Sequence, residues 1–117
     1  ATALLANGVC CISEGSNMAS TAAAVDRFIE AEIAYGPGKA ANAGGVATSQ
    51  LEMAQNSSMQ QWSLKKVDCK LQAIMADIHH QCATTAKEFD QPTNLVLGAN
   101  IAGFRRVADA MIEQGVV

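Results

Sequence analysis

Two polar clusters in the sequence combine residue types that could bind a small ligand. The first, residues 14–17, follows a short apolar run that predicts a strand, and α/β folds bind ligands at the carboxyl ends of their parallel strands. The second, residues 42–49, combines an amide with two hydroxyls, and an amide offers both a donor and an acceptor to a ribose hydroxyl or a carboxamide. Either cluster alone is more typical of helix capping and packing. Their occurrence together, beside a double glycine, favours a binding site.

The double glycine Gly44-Gly45 lies inside a helix that the sequence predicts over residues 39–56. A glycine costs a helix about 1 kcal/mol relative to alanine, so two in succession need a reason. Two explanations stay open at this point. The pair allows either close packing against another helix or close approach of a ligand to the backbone.

Other motifs that could carry chemistry are weak. His79 and His80 are the only histidines, and neighbours on a helix point about 100° apart, so we predict a structural role and no metal. Gly36–Lys39 resembles a phosphate-binding loop, but Ile33 and Ala40 stand where that loop requires a glycine and a hydroxyl. The dinucleotide pattern G-x-G-x-x-G is absent. A pyrophosphate cradle, if a dinucleotide binds here, therefore lies elsewhere.

The first part of the chain predicts a βαβ unit. Asn7-Gly8 is a usual helix exit, and Ser20 or Thr21 can cap a following helix. The predicted elements are the last turns of a helix over residues 2–6, a strand over 9–13, a helix over 22–31 and a strand over 33–35. Strand, helix and strand in succession indicate an α/β fold. The opening on a helix end leads us to expect a piece of a longer chain.

Helices dominate the second part of the chain. After the helix over 39–56, the sequence predicts a long helix from a Ser63 cap to Glu88 and a last helix over 100–113 that ends before Gly115. A stripe of apolar residues marks the long helix: Val67, Leu71, Ile74, Ile78 and Cys82. The residues expected to face inward on the last helix are Ile101, Phe104, Ala108, Met111 and Ile112.

Composition narrows the class of protein. The chain has 117 residues, 22 of them alanine, and a net charge of −3, with its eight basic residues scattered. This argues against a nucleic-acid partner, which calls for clustered Lys and Arg. No apolar run is long enough to span a bilayer and no signal peptide is visible, so we expect a soluble cytoplasmic protein. The four cysteines form no C-x-x-C pair and are expected to be free, buried apolar groups.

Both polar clusters belong to segments that resemble the C-terminal part of glutamate dehydrogenases. The segments are Ser13–Met18 (SEGSNM), Ala34–Ser49 (AYGPGKAANAGGVATS), Leu51–Asn56 (LEMAQN), Gly98–Phe104 (GANIAGF) and Val107–Met111 (VADAM). The resemblance covers essentially the whole chain, and its long gapless motifs make it highly specific. The segment from Pro37 to Ser49 resembles the hexameric, NADP-using branch of the family most closely.

The resemblance implies roles that composition and spacing do not provide. Glutamate dehydrogenases interconvert L-glutamate with 2-oxoglutarate and ammonia by passing a hydride to or from the nicotinamide of NADP(H). The residue matching Ser49 donates to the side-chain carboxylate of the substrate, and the residue matching Val46 packs on its aliphatic chain. The full set of implied contacts is Ser49, Val46 and Gly45 for the substrate and Asn17, Asn42 and Gly15 for the cofactor.

Departures from the family pattern concentrate near these positions. Ser16 replaces an alanine, Ala19 stands where proline is usual, and Gln50 stands where glycine is common. The first two lie beside Asn17 and make the start of the following helix less rigid. None of the three substitutions removes a functional group.

Length is the larger departure. Whole members of the family are several times longer, and their catalytic lysines, their proton-handling acid and their glycine-rich cofactor loop lie upstream. The resemblance therefore implies an α/β fold in which residues 1–60 end a Rossmann-like cofactor domain with short parallel strands. Residues 61–117 would form long C-terminal helices that pack back towards a substrate domain. We expect no catalytic residue in this segment and no activity from it alone.

Two functions from different classes remain open. The first is part of an NADP-dependent glutamate dehydrogenase, acting as a homo-oligomer, by resemblance a hexamer, with no nucleic-acid or membrane partner. The second is a non-catalytic helical interaction or assembly module derived from that family. A two-stranded sheet with open edges has little independent stability, which argues against the second.

Overall fold

The computed structural model describes residues 1–116. Its elements, in chain order, are α1 (Thr2–Ala6), β1 (Cys11–Ser13), α2 (Ala22–Glu30), β2 (Ala34–Gly36), α3 (Gly38–Ala41), α4 (Ala43–Ser57), α5 (Leu64–Glu88) and α6 (Leu95–Glu113). None of the helices described in residues 1–116 is both long and apolar enough to cross a membrane.

The first half of the chain forms the predicted βαβ unit. β1 and β2 pair in parallel, with Ile12 opposite Tyr35, and α2 connects them. Thr21 caps α2, because its hydroxyl accepts a hydrogen bond from the N–H of Ala24 at 3.3 Å. The short parallel strands with helices are thus confirmed. Their membership of a larger Rossmann-like domain stays a prediction, because residues 1–116 contain only these two strands.

A small aromatic contact joins α2 to the sheet. Phe28 of α2 and Tyr35 of β2 are 2% and 4% exposed, and their ring centroids lie 5.5 Å apart. Tilted aromatic pairs at this distance pack favourably. The contact packs α2 against β2, the strand that leads into Gly38 and α3.

The helix predicted over 39–56 is two helices in the structure. Asn42 separates α3 from α4, and the N–H of Gly45 donates to the carbonyl of Asn42, three residues back, at 3.2 Å. Such a hydrogen bond is tighter than the four-residue spacing of an α-helix and is common at helix ends. The prediction of one continuous helix was therefore wrong at Asn42, where a tight turn separates the two helices.

α5 and α6 form the most extensive contact between elements in residues 1–116. Ser63 caps α5 as predicted, since its hydroxyl accepts from the N–H of Lys66 at 3.3 Å. α6 begins at Leu95 rather than at the predicted residue 100, because the side chain of Asn94 accepts from the N–H of Leu97 at 3.0 Å and caps it. The predicted apolar stripe of α5 is buried or half-buried throughout.

The prediction of the inward face of α6 was only partly right. Ile101 and Ala108 are half-buried, but Phe104, Met111 and Ile112 are exposed, at 72%, 37% and 64%. α6 carries apolar residues on more than one face, and hydrophobic periodicity alone does not say which of them is covered.

The cysteine prediction also needs correction. All four cysteines are free, but only Cys82 is buried, whereas Cys10, Cys11 and Cys69 are exposed. Cys11 lies in a sheet of two strands, where no further strand covers its neighbourhood in residues 1–116. Burial raises the pKa of the Cys82 thiol.

The division of the chain at residue 60, into the end of a cofactor domain and the C-terminal helices, stays a prediction.

Candidate functional site

The carboxyl ends of β1 and β2 are held together by one buried glutamate. The backbone N–H of Glu14 donates to the carbonyl of Gly36 at 3.0 Å, and its side-chain Oε2 accepts from the N–H of Gly38 at 2.9 Å. Glu14 is only 7% exposed. A β-carbon added to Gly38 would lie 2.6 Å from the carbonyl oxygen of Ser16, so only glycine fits at this position.

The surroundings of Glu14 favour its ionised form. The hydroxyl of Ser20 lowers the pKa of the Glu14 carboxyl below its usual value, helped by Tyr35 and the Gly38 N–H and opposed by burial. Glu14 Oε1 has no regular hydrogen-bond partner among the described residues. Burial, with a smaller contribution from Glu14, raises the pKa of Tyr35 to about 12. At neutral pH the glutamate is charged and the tyrosine neutral.

The two asparagines predicted to contact a cofactor lie in direct contact. Asn42 Nδ2 donates to Asn17 Oδ1 at 2.6 Å, although the residues are 25 positions apart. Asn17 follows β1, and Asn42 lies between α3 and α4, so each polar cluster contributes one side chain. Met18, beside Asn17, has a φ of +53°, an uncommon conformation for a residue with a side chain.

A groove of about 440 Å³ runs along this edge of the sheet. Its polar lining includes Glu14, Asn17, Tyr35 and Lys39. Lys39 Nζ donates to the side-chain oxygen of Asn100, so a hydrogen bond connects this edge of the groove to α6. The volume lies within the usual range for small-molecule sites.

The predicted substrate residues share the exposed surface of the first turns of α4. Gly45 and Ser49 are exposed, and Val46 is 64% exposed. The Ser49 hydroxyl donates to the carbonyl of Gly45, one turn back, at 3.3 Å, which is a long and weak hydrogen bond. Because helical residues rise about 1.5 Å each, this surface begins within about 10 Å of Asn42.

The structure separates the two explanations of the double glycine. A β-carbon on Gly44 would contact Met75 Sδ at 3.4 Å and Leu71 Cδ1 at 3.6 Å, so Gly44 allows close packing against α5. A β-carbon on Gly45 would meet nothing within 4 Å. Gly44 therefore fits the packing explanation, whereas Gly45 leaves its backbone open on the same surface as Ser49.

Gly15 is exposed, and nothing lies within 4 Å of where its β-carbon would stand. It belongs to the loop that carries Asn17, but it makes no contact that assigns it a role. His79 and His80 are both exposed, and residues 1–116 contain no group of three or more His, Cys, Asp or Glu side chains placed to hold a metal ion.

Sequence reasoning did not assign roles to two residues that organise the site. Glu14 was included in the first polar cluster, but no spacing rule showed that its carboxylate reaches Gly38. Asn100 lies 61 positions from Lys39, in a different helix. The only available signal for either was the resemblance of the segments that contain them, because contacts over such separations depend on the folded arrangement.

The side chains gathered here are suited to binding. The amides supply neutral donors and acceptors, and the α4 surface supplies a hydroxyl next to an aliphatic side chain. Both groups that could carry charge in the groove are engaged, Glu14 with Gly38 and Lys39 with Asn100.

Comparison with known proteins shows the family of this chain. A family model described as Glutamate/Leucine/Phenylalanine/Valine dehydrogenase matches residues 1–115. The chain is 60% identical over 116 residues to the NADP-specific glutamate dehydrogenase of Helicobacter pylori strain J99, covering 99% of this chain and 26% of that protein. It is 56% identical over 114 residues to the NADP-specific glutamate dehydrogenase of Escherichia coli K12, covering 97% and 25%.

Solved structures show the same similarity. A crystal structure of Plasmodium falciparum glutamate dehydrogenase matches with a TM-score of 0.92 and 46% identity, covering 97% of this chain and 24% of that one. The chain thus spans about a quarter of the length of the relatives it matches. From the family match and these identities, we conclude that the chain belongs to the Glutamate/Leucine/Phenylalanine/Valine dehydrogenase family.

Proposed function

We propose that this chain forms the nicotinamide-binding and substrate-binding side of an NADP-dependent glutamate dehydrogenase. The enzyme interconverts L-glutamate with 2-oxoglutarate and ammonium, works as a homo-oligomer and draws its catalytic groups from residues outside this chain. The observation that carries the proposal is the contact between Asn17 and Asn42 beside the exposed surface of Gly45, Val46 and Ser49. The names of the relatives supply the reaction and the cofactor.

The amide pair fits the nicotinamide end of NADP(H). The bond from Asn42 Nδ2 to Asn17 Oδ1 leaves Asn17 with its amide donors and Asn42 with its carbonyl acceptor. A nicotinamide carboxamide or a ribose hydroxyl needs this combination of donor and acceptor. When bound, the cofactor supplies or accepts the hydride. Asn17 and Asn42 hold and orient it at the strand ends.

The α4 surface fits a dicarboxylic acid of moderate length. The Ser49 hydroxyl makes only a 3.3 Å bond to Gly45 and can rotate to donate to a carboxylate. Val46 offers an exposed apolar side chain for the methylene groups of glutamate. The open backbone at Gly45 lets the substrate lie against the helix without a side chain in between.

Proton transfer falls to residues beyond this chain. Lys39 is engaged with Asn100, and Glu14 is buried against Gly38. The described residues therefore bind and orient, and activity requires the complete gene product.

The test is reductive amination by the complete gene product. We expect NADPH consumption that depends on both 2-oxoglutarate and ammonium, with omission of either as the control. The 117-residue chain alone is expected to be inactive. No turnover by a folded complete gene product would overturn the proposal and favour the non-catalytic assembly module.

A further inference from the structure

The two carboxylate oxygens of Glu14 differ in their bonding. Its carboxylate is buried, yet Oε1 has no hydrogen-bond partner among residues 1–116. Burying a charged oxygen without a partner costs free energy, and each such group in a folded protein calls for an explanation. The other oxygen, Oε2, accepts from the N–H of Gly38, so the explanation lies in what this bond positions.

The contacts of Glu14 form a closed ring that contains both asparagines. Oε2 of Glu14 accepts from the N–H of Gly38, and the carbonyl of Gly38 accepts from the N–H of Asn42 at 2.9 Å. The side chain of Asn42 then bonds to Asn17, which lies three residues after Glu14. Through this ring, one side chain connects the loop after β1 to the start of α4.

The backbone segments that this ring joins lie in close contact. The carbonyl of Ser16 lies 2.6 Å from where a Gly38 β-carbon would stand, so the loop rests directly on the backbone of α3. The 2.9 Å bond from the Gly38 N–H to Glu14 Oε2 is a second direct link between the same two segments. Loss of the bond between Glu14 and Gly38 would leave the loop held by the Glu14 N–H on Gly36 and by the contact between Asn17 and Asn42, so the spacing of the two asparagines would be less fixed.

We propose that Glu14 is a positioning residue that sets the spacing of Asn17 and Asn42 for the nicotinamide end of the cofactor. This inference rests on the proposed function, because the cofactor contact at the two asparagines belongs to it. Glu14 does not touch the cofactor itself. It acts through Gly38, and the length of its side chain matters more than its charge.

Side-chain length and charge can be varied separately at this position. Glu14→Gln keeps the length and a carbonyl oxygen that accepts from Gly38, but removes the charge. Glu14→Asp keeps the charge but is one methylene shorter and loses its reach to Gly38. Glu14→Ala removes both, and Glu30→Ala, at an exposed carboxylate of α2, is the matched control.

The experiment measures the NADPH dissociation constant and the KM for 2-oxoglutarate at saturating NADPH, on folded complete gene product. We expect Glu14→Ala and Glu14→Asp to weaken NADPH binding about tenfold or more, with Glu14→Gln and Glu30→Ala within about threefold of wild type. The KM for 2-oxoglutarate should change less than NADPH affinity. A role in folding alone would not lower NADPH affinity more than substrate affinity, and it would not explain normal NADPH affinity in the Glu14→Gln variant.

Three results would overturn the inference. One is wild-type NADPH affinity in a folded Glu14→Ala variant, and another is equal weakening of cofactor and substrate binding. If Glu14→Ala does not fold, the test rests on Glu14→Asp and Glu14→Gln. The third contradictory result is an NADPH affinity of the Glu14→Asp variant equal to that of wild type. A wild-type protein that neither binds NADPH nor turns over 2-oxoglutarate would instead overturn the proposed function, and this inference with it.

Discussion

The crossing of α5 and α6 and the edge of the sheet are held in different ways. At the crossing, the backbones meet so closely that a β-carbon on Gly98 would lie 2.0 Å from the carbonyl oxygen of Cys82. At the sheet edge, Glu14, Gly38, Asn17 and Asn42 are joined by hydrogen bonds between loops and short elements.

This difference leads us to expect that the crossing of α5 and α6 maintains the fold and that the sheet edge binds ligands. Close-packed regions tolerate almost no change in volume, because neighbouring atoms leave no space to fill. Polar contacts on loops can be altered one at a time with smaller effects on folding, and binding groups commonly lie on loops held by a rigid scaffold. We therefore expect changes at Gly98 to affect folding and changes at the sheet edge to affect ligand affinity.

The largest effect is expected for Gly98→Ala. The added methyl would overlap the Cys82 carbonyl and crowd Ala86, which is fully buried. The backbones would have to separate, at a cost of about 3 kcal/mol or more in the free energy of unfolding. Thermal unfolding of the complete gene product measures it.

Gly103→Ala is the matched control, because it lies in the same helix with nothing within 4 Å of its β-carbon. Alanine there should stabilise α6 by about 0.5–1 kcal/mol through helix propensity. Equal melting temperatures for the two variants would contradict the close crossing at Gly98.

Ser49→Ala comes next. If the hydroxyl donates to the side-chain carboxylate of the substrate, its loss should cost about 1.5–3 kcal/mol, a rise of about 10–150-fold in the KM for 2-oxoglutarate. NADPH affinity should change little. Steady-state kinetics with each substrate varied in turn gives both constants, and an unchanged KM for 2-oxoglutarate would remove Ser49 from the substrate site.

The two glycines in the first turn of α4 should respond differently to alanine. Both changes raise helix propensity by about 0.5–1 kcal/mol, offset at Gly44 by a 3.4 Å contact with Met75. Only Gly45→Ala places a methyl on the open surface beside Ser49, so only this variant should weaken 2-oxoglutarate binding. Equal loss of substrate affinity in both variants would show that α4 geometry, rather than space at Gly45, matters.

The smallest effect concerns Tyr35 and appears only at high pH. The folded state raises the pKa of Tyr35 from 10.0 to about 12, chiefly by burial. Its contribution to stability is therefore complete below pH 10 and is lost as the pH rises through about 12. Tyr35→Phe should flatten the alkaline part of the stability profile, measured as melting temperature against pH. An unaltered alkaline slope would be inconsistent with this burial.

The sequence predicted the local elements well because their signals are local. Thr21 and Ser63 cap the helices that follow them, and Gly8 and Gly115 have φ of +76° and +71° at helix exits, as the sequence indicated. The apolar stripe of α5 likewise follows from its own spacing. Errors arose where tertiary contacts decided, as at Asn42, which interrupts a helix that propensity would continue.

At the site, too, the sequence predicted residue types but not the contacts between distant residues. Residue type suggested Asn17 and Asn42, and the resemblance assigned them to the cofactor, but their 2.6 Å contact needed the fold. Glu14 was unassigned because its partner Gly38 lies 24 positions away.

Exposure of Phe104 could not be inferred from periodicity, because several faces of α6 are apolar.

The NADPH dissociation constant of the complete gene product carrying Asn42→Ala, measured beside Ser49→Ala, tests the central claim most directly. The account predicts that Asn42→Ala weakens NADPH binding about tenfold and that Ser49→Ala leaves it within about threefold of wild type. NADPH affinity unchanged by Asn42→Ala, or weakened equally by both variants, would contradict a site in which the strand edge holds the cofactor and α4 holds the substrate.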